Sequence, residues 1–247
     1  QKEPGLGERH TLGERAESDL GSVINRVGGG FDGKKVSLFP GLNMDGERIH
    51  QQRVLKTFGA NGGRLLAALV TGSGKSLVSI GAYTGAHAKG EATHAVFAVP
   101  KAVEDQFGGE MLRYTKPGQY KWAIGSSMNS YEDRLAALKD DSTHMKVMTH
   151  EALRDTLVRM MADHHRGGDV ETMKTDLGNT NVKTRAGWLK QAMDHHGIKP
   201  WMFYGDEAHR FTARGEGEAA SLHSVMTAAS HPLTTSHALF GTATPAK

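Results

Sequence analysis

The sequence has no cysteine among its 247 residues. That absence excludes a disulfide framework and any thiolate-bound zinc, and it fits a reducing compartment. No apolar run approaches the roughly 18 residues that a membrane-spanning helix needs. The amino-terminal stretch QKEPGLGERH lacks the apolar core of a secretory signal. An intracellular, cytoplasmic setting with no membrane partner is therefore expected. A strong excess of either charge is also missing: 30 Lys and Arg stand against 27 Asp and Glu, a net of +3. This balance permits a polyanionic partner but does not argue for one, because ordinary solvated surfaces share it. What remains is a chain long enough for one large domain or two small ones with ample core.

Glycine, by contrast, is plentiful at 31 residues, and one glycine-rich stretch organises the chain. An apolar run at 65–70 meets the turn Thr71, Gly72, Ser73, Gly74, followed by Lys75, Ser76 and a second apolar run. The order reads as buried strand, tight loop, helix. Gly72 and Gly74 let successive backbone N–H groups converge on one centre, and the helix start adds its positive end, which makes an anion cradle. Lys75 is placed to reach a β- or γ-phosphate and the Ser76 hydroxyl to hold Mg²⁺. The strict GxxxxGK[ST] pattern is broken at its first position, which is Leu69. In so glycine-rich a chain the triplet alone is a weak signal, so the flanking strand and helix matter.

Residues 1–40 are polar and glycine-rich, with LGER occurring twice, and read as a linker or arm. Within 41–63, Ile49, Val54, Leu55 and Phe58 recur at helical spacing, with Gly59, Gly62 and Gly63 ending the helix. A glutamine just upstream of a phosphate loop can pair with adenine through its amide, and Gln51 is preferred over Gln52 as the helix opens. Beyond the loop, strands are expected at 93–100, 120–124 and 145–148, and helices at 101–115, 131–138 and from His150. The alternation argues an α/β fold, a mostly parallel sheet with helices on both faces and ligands at the carboxyl ends of its strands. Residues 157–200 interrupt the pattern as a helical insertion. They carry two Asp-His-His clusters, RMMADHHRGG and KQAMDHHGIK, which read as helix ends with a metal site as the alternative.

The second half of the site follows at PWMFYGDEAHR. An apolar strand at 201–204 delivers two carboxylates: Asp206 suits a Mg²⁺ ion bridging phosphates, and Glu207 suits orienting and deprotonating a water. A last strand at 236–240 runs into GTATP, whose small hydroxyl residues could report a γ-phosphate by hydrogen bonding.

Taken in order, TGSGKS, AVPKAVEDQF, VMTHEAL, DEAHR and GTATP resemble the first motor lobe of superfamily-two helicases and translocases, over residues 45–246. The resemblance is closest to the Snf-type double-stranded DNA translocases and the motor subunits of type I and type III restriction enzymes. Thr71-Gly72-Ser73 is similar to the restriction-type loop. The resemblance implies a RecA-like lobe that uses ATP and Mg²⁺, with Gln51 reading adenine, Lys75 and Ser76 on phosphate and metal, and Asp206 and Glu207 as the acidic pair. It further implies that His209, Thr242 and Thr244 couple nucleotide state to a nucleic-acid track, probed by Lys101, Thr149 and His150. The partners it implies are nucleic acid, foremost duplex DNA, and a second RecA-like lobe carrying an arginine finger. That lobe has no counterpart in the 247 residues, so an excerpt of a longer polypeptide is expected, binding ATP but nearly inactive by itself. An RNA helicase, and a degenerate ATP-binding or docking module, are the alternatives.

Overall fold

Six short strands form one sheet in which every neighbouring pair is parallel. In the computed structural model, which describes residues 49–68, 73–212 and 218–242, they are β1 (Arg64–Ala68), β2 (Ala95–Val99), β3 (Trp122–Ile124), β4 (Met145–Thr149), β5 (Trp201–Gly205) and β6 (Thr235–Thr242). Their spatial order is β1-β6-β5-β2-β4-β3. β2, β4 and β5 are buried along their whole length, as a sheet covered on both faces requires. Successive side chains alternate between two cores. Ala95, Phe97 and Val99 face one cluster with Met145, Val147, Met202 and Tyr204, while Val96 and Ala98 face the other with Met148, Trp201 and Phe203.

The first cluster is closed by α1 (Ile49–Ala60), α2 (Lys75–Ala88) and α3 (Glu104–Tyr114) through Leu55, Phe58, Leu77, Ile80, Phe107 and Met111. The second is closed by α4 (Tyr131–Lys139), α5 (His150–His165), α6 (Val170–Asn179), α7 (Val182–His195), the short α8 (His209–Thr212) and α9 (Glu218–Ala229). Local chemistry sets the helix ends. Ser130 and Asp133 form a reciprocal capping box on α4, and Thr149, Asp169 and Asn181 cap α5, α6 and α7 by accepting a backbone N–H. Gly62 and Gly63 after α1 and Gly197 after α7 take positive φ of 62°, 75° and 70°, the left-handed turn that ends a helix.

Two expectations need correction. The helix expected from Lys101 opens as a 3₁₀ turn, Lys101–Val103, before α3 begins. The reason is Pro100, held extended at φ −62° and ψ 147°, which delays entry into α geometry. The strand expected at 120–124 pairs only at Trp122–Ile124.

Residues 157–200 add helices to the second face and share its core. Met160, Met161, Met173, Leu177, Leu189 and Met193 are all fully buried in the same cluster as the sheet residues. Both Asp-His-His clusters fall at helix carboxyl ends, where His164 and His195 approach to 5.0 Å between ring centroids. Among the described residues no group of three or more His, Cys, Asp or Glu side chains is placed to hold a metal ion. Nor is any described helix long and apolar enough to cross a membrane.

Candidate active site

Because every strand is parallel, their carboxyl ends share one edge, and the residues singled out from the sequence gather there. Lys75 is the first residue of α2 and Ser76 the second. Gly74, the residue before them, sits in the left-handed region at φ 82°. A side chain there would meet the amide nitrogen of Gln51, so glycine is required both for the turn and for the close approach. Gln51 is 95 % buried by its 5 % relative exposure, and its Nε2 donates to the Ser73 carbonyl at 2.9 Å. The opening turn of α1 is thereby tied to the phosphate loop. Thr71 and Gly72 lie outside the described residues, as does Thr244.

Lys75 reaches across β6, which separates β1 from β5, to the acidic pair. Its Nζ donates to Glu207 Oε1 at 3.2 Å and lies 3.5 Å from Asp206 Oδ1. Burial pushes the Asp206 carboxyl above its ordinary range, and the Lys75 ammonium pulls it back, helped by the Glu207 backbone N–H and the Tyr204 hydroxyl. The Asp206 N–H donates to the Ala98 carbonyl at 2.9 Å, which stitches the end of β5 to β2. Glu207 is the one described non-glycine residue with positive φ, at 53°. Such a conformation costs about 1–3 kcal/mol and concentrates at functional sites. His209 Nδ1 lies 3.2 Å from Glu207 Oε2 and 3.3 Å from the Thr242 hydroxyl, so the imidazole touches both the acidic pair and the end of β6.

The residues assigned to a nucleic-acid track also lie at this edge, beyond β2 and β4, and differ sharply in exposure. The Lys101 side chain is 73 % exposed and pairs at 2.6 Å with Glu104, whose own side chain is 1 % exposed. The Thr149 hydroxyl accepts the Ala152 N–H at 3.1 Å and so is spent capping α5. His150 has no exposed surface. Its side chain is therefore turned into the core, and only the main chain of this segment lies nearer the edge. The Phe211 ring packs edge-on at 4.9 Å, and Arg210 Nη1 lies 3.1 Å from Nδ1. A guanidinium only donates, so Nδ1 accepts and the proton sits on Nε2. Burial, then the Arg210 charge, lowers the imidazole to about 4, so it stays neutral. Arg210 Nη2 also donates to Glu151 at 3.1 Å, which joins the residue after the DEAH tetrapeptide to the first turn of α5.

Sequence reasoning missed two of these partners. Arg210 and His150 are 60 positions apart, and no motif spacing records their contact. Tyr204 left a fainter signal: a hydroxyl in an otherwise apolar, fully buried strand must find a partner, and it donates to Asp206 Oδ1 at 3.2 Å.

The residue set fits a nucleoside triphosphate with Mg²⁺. An ammonium and two carboxylates converge at the start of a 14-residue helix whose second residue is Ser76.

The family described as type III restriction enzyme, res subunit, matches residues 46–247. Among solved structures, the Sulfolobus solfataricus SWI2/SNF2 ATPase core in complex with dsDNA is similar at TM-score 0.53 and 15 % identity, over 86 % of this chain and 34 % of that one. The UvsW helicase from bacteriophage T4 aligns at TM-score 0.45 and 13 % identity, over 92 % of this chain and 60 % of that one. The chain thus spans about a third of the length of the first structure and 60 % of the second. Comparison with curated proteins gives no match. The all-parallel sheet agrees with the SWI2/SNF2 likeness in fold, and the family match runs through every motif from Gln51 to the end of β6, so the chain belongs to the type III restriction enzyme res-subunit family and forms a RecA-like motor lobe of the superfamily-two helicase and translocase type.

Proposed function

We propose that this lobe binds Mg-ATP and drives movement along nucleic acid, with double-stranded DNA as the track and a second RecA-like lobe closing over the nucleotide. The observation that carries the reading is Lys75, held between Glu207 at 3.2 Å and Asp206 at 3.5 Å. Phosphate oxygens compete directly for that ammonium. With nucleotide bound, Lys75 would turn to the phosphates, Ser76 and Asp206 would hold Mg²⁺, and Gln51 would serve adenine from its anchor on Ser73. Thr71, Gly72, Ser73 and Gly74 supply backbone N–H groups to the phosphates. Mg²⁺ supplies neutralisation of the charge on the β- and γ-phosphates. Glu207, released from Lys75, orients and deprotonates the attacking water, and His209, with Thr242 and Thr244, relays the change to the track.

Duplex DNA as the track is supported by the likeness to a core solved with dsDNA. On the track side Lys101 presents an exposed charge, beside the amino end of α5 that follows β4. Residues 157–200 read as a helical insertion that thickens the face away from the nucleotide loop.

Calorimetric titration of Mg-ATP into this chain tests the assignment. Lys75→Ala should weaken binding by about tenfold or more, the weight of a charge-assisted hydrogen bond. Equal affinity in the variant would remove the phosphate loop from the site. Competition among duplex DNA, single strands and RNA should rank duplex first, and a preference for RNA would overturn the choice of track.

A further inference from the structure

Tyr204 is completely buried between aromatic neighbours. Its ring lies 5.8 Å from Phe97 and 6.1 Å from Phe107 between centroids, and only 2 % of its surface is exposed. Nothing in the apolar role of that position calls for a hydroxyl, and a buried phenol without a partner is costly. The hydroxyl is not idle: it donates to Asp206 Oδ1 at 3.2 Å. Lys75 falls on the same oxygen, at 3.5 Å. The phenol donates to Oδ1 and the ammonium approaches the same oxygen, so both side chains gather on one side of the carboxylate.

A second observation comes from β6, on the far side of the same carboxylate. Gly241 has ordinary φ, yet a Cβ on it would stand 2.7 Å from the Tyr204 hydroxyl and 3.4 Å from Asp206 Oδ1. The Gly241 carbonyl also accepts the Ala208 N–H at 2.9 Å. β6 is thus pressed against the phenol–carboxylate pair so closely that only glycine fits. The first residue of the GTATP motif is small because Tyr204 fills the space.

We propose that Tyr204 is a positioning residue for the metal-holding carboxylate: its hydroxyl pins Asp206 Oδ1, turns Oδ2 toward a divalent cation, and is itself locked in place by Gly241. The inference rests on the Mg-nucleotide reading of the site. When Lys75 leaves Asp206 for a phosphate, Tyr204 is the side-chain donor that stays. The carboxylate therefore keeps its orientation through the cycle without relying on the lysine. Partners of this kind fix ligating groups and tune metal affinity.

The test uses Tyr204→Phe in this chain, which removes one oxygen and keeps the ring. Binding of ADP is titrated calorimetrically over a Mg²⁺ series and again in EDTA. The Mg²⁺ concentration for half-maximal enhancement of ADP binding should rise by about tenfold, the low end for loss of an outer partner of a ligating carboxylate. Affinity in EDTA should not change. Gly241→Ala should show the same loss, because its methyl group displaces the phenol. The Tyr204→Phe, Gly241→Ala double variant should bind Mg²⁺ no worse than Tyr204→Phe alone, a non-additivity that an unrelated packing defect would not produce. A Tyr204→Phe protein with wild-type Mg²⁺ dependence would overturn the positioning role while leaving the nucleotide site intact. Wild-type chain that binds no ADP in Mg²⁺ would overturn both readings.

Discussion

Asp206 is a carboxylate that the fold holds at a cost. Burial raises its pKa above the ordinary 3.8 even with Lys75 and Tyr204 beside it. A carboxyl raised in the folded state favours folding when protonated, and that contribution is lost as pH climbs through its folded value. Asp206→Asn should therefore melt like the wild type near pH 4 and become the more stable protein as pH rises toward neutrality. The gap in Tm should open with rising pH, in favour of the variant. Melting curves at four or five pH values check it, and a variant less stable than wild type at pH 7 would contradict the sign. The same variant should lose Mg²⁺-dependent nucleotide binding, an exchange of stability for function common at active sites. Glu207 differs: it is strained at φ 53° and partnered by Lys75 and His209. Glu207→Gln should keep ATP binding while turnover, measured with nucleic acid and the partner lobe present, falls about 10²–10⁴-fold, the usual weight of a general base. Wild-type turnover in this variant would pass the water-activating role to another group.

Among elements, α5 carries the clearest division of labour. Its cap, Thr149, is 8 % exposed and engaged with the Ala152 N–H. Thr149→Ala should lower stability by about 1 kcal/mol, as for other helix caps, seen as a drop in Tm by circular dichroism. Affinity for duplex DNA measured well below Tm should stay within about threefold, since uncharged backbone contacts contribute little each. A large loss of DNA affinity with unchanged Tm would show that the hydroxyl faces the track after all. The elements themselves were largely legible from sequence. Buried runs such as AVFAV and WMFYG, each ending in a turn with Pro100 or Asp206, mark parallel strands and their functional ends. What stayed hidden was contact across the sheet. His150 was read by resemblance as a track residue, because a motif records order along the chain and not which way a side chain turns. Its burial against Phe211 and Arg210 depends on how β4 and β5 flank β2, which no local pattern states. Tyr204 was read as one more apolar strand residue for the same reason, its partner being visible only once the turn after β5 is built.

At the scale of the whole molecule, the residues proposed for nucleotide chemistry and those proposed for the track share one edge of the sheet but follow different strands: β1, β5 and β6 for the first, β2 and β4 for the second. Lys101 is the exposed charge on the track side, and its partner Glu104 is buried. Lys101→Ala should reduce the slope of log K against log salt for duplex DNA by about 0.9, one phosphate contact's worth. It should also lower Tm, because Glu104 is left buried without its counter-charge. An unchanged slope would place the track elsewhere on the lobe. The sheet order carries one more consequence. Among the described strands β1 pairs with β6 alone, Arg64 opposite Ala238 and Ala68 opposite Thr242. On the ribosome, β1 must wait for β6, translated well after it, before it gains the neighbour it has here. The loop between β1 and α2 is thus seated only after β6 has been made, so in the proposed reading a nascent chain gains its nucleotide site late relative to the synthesis of that loop.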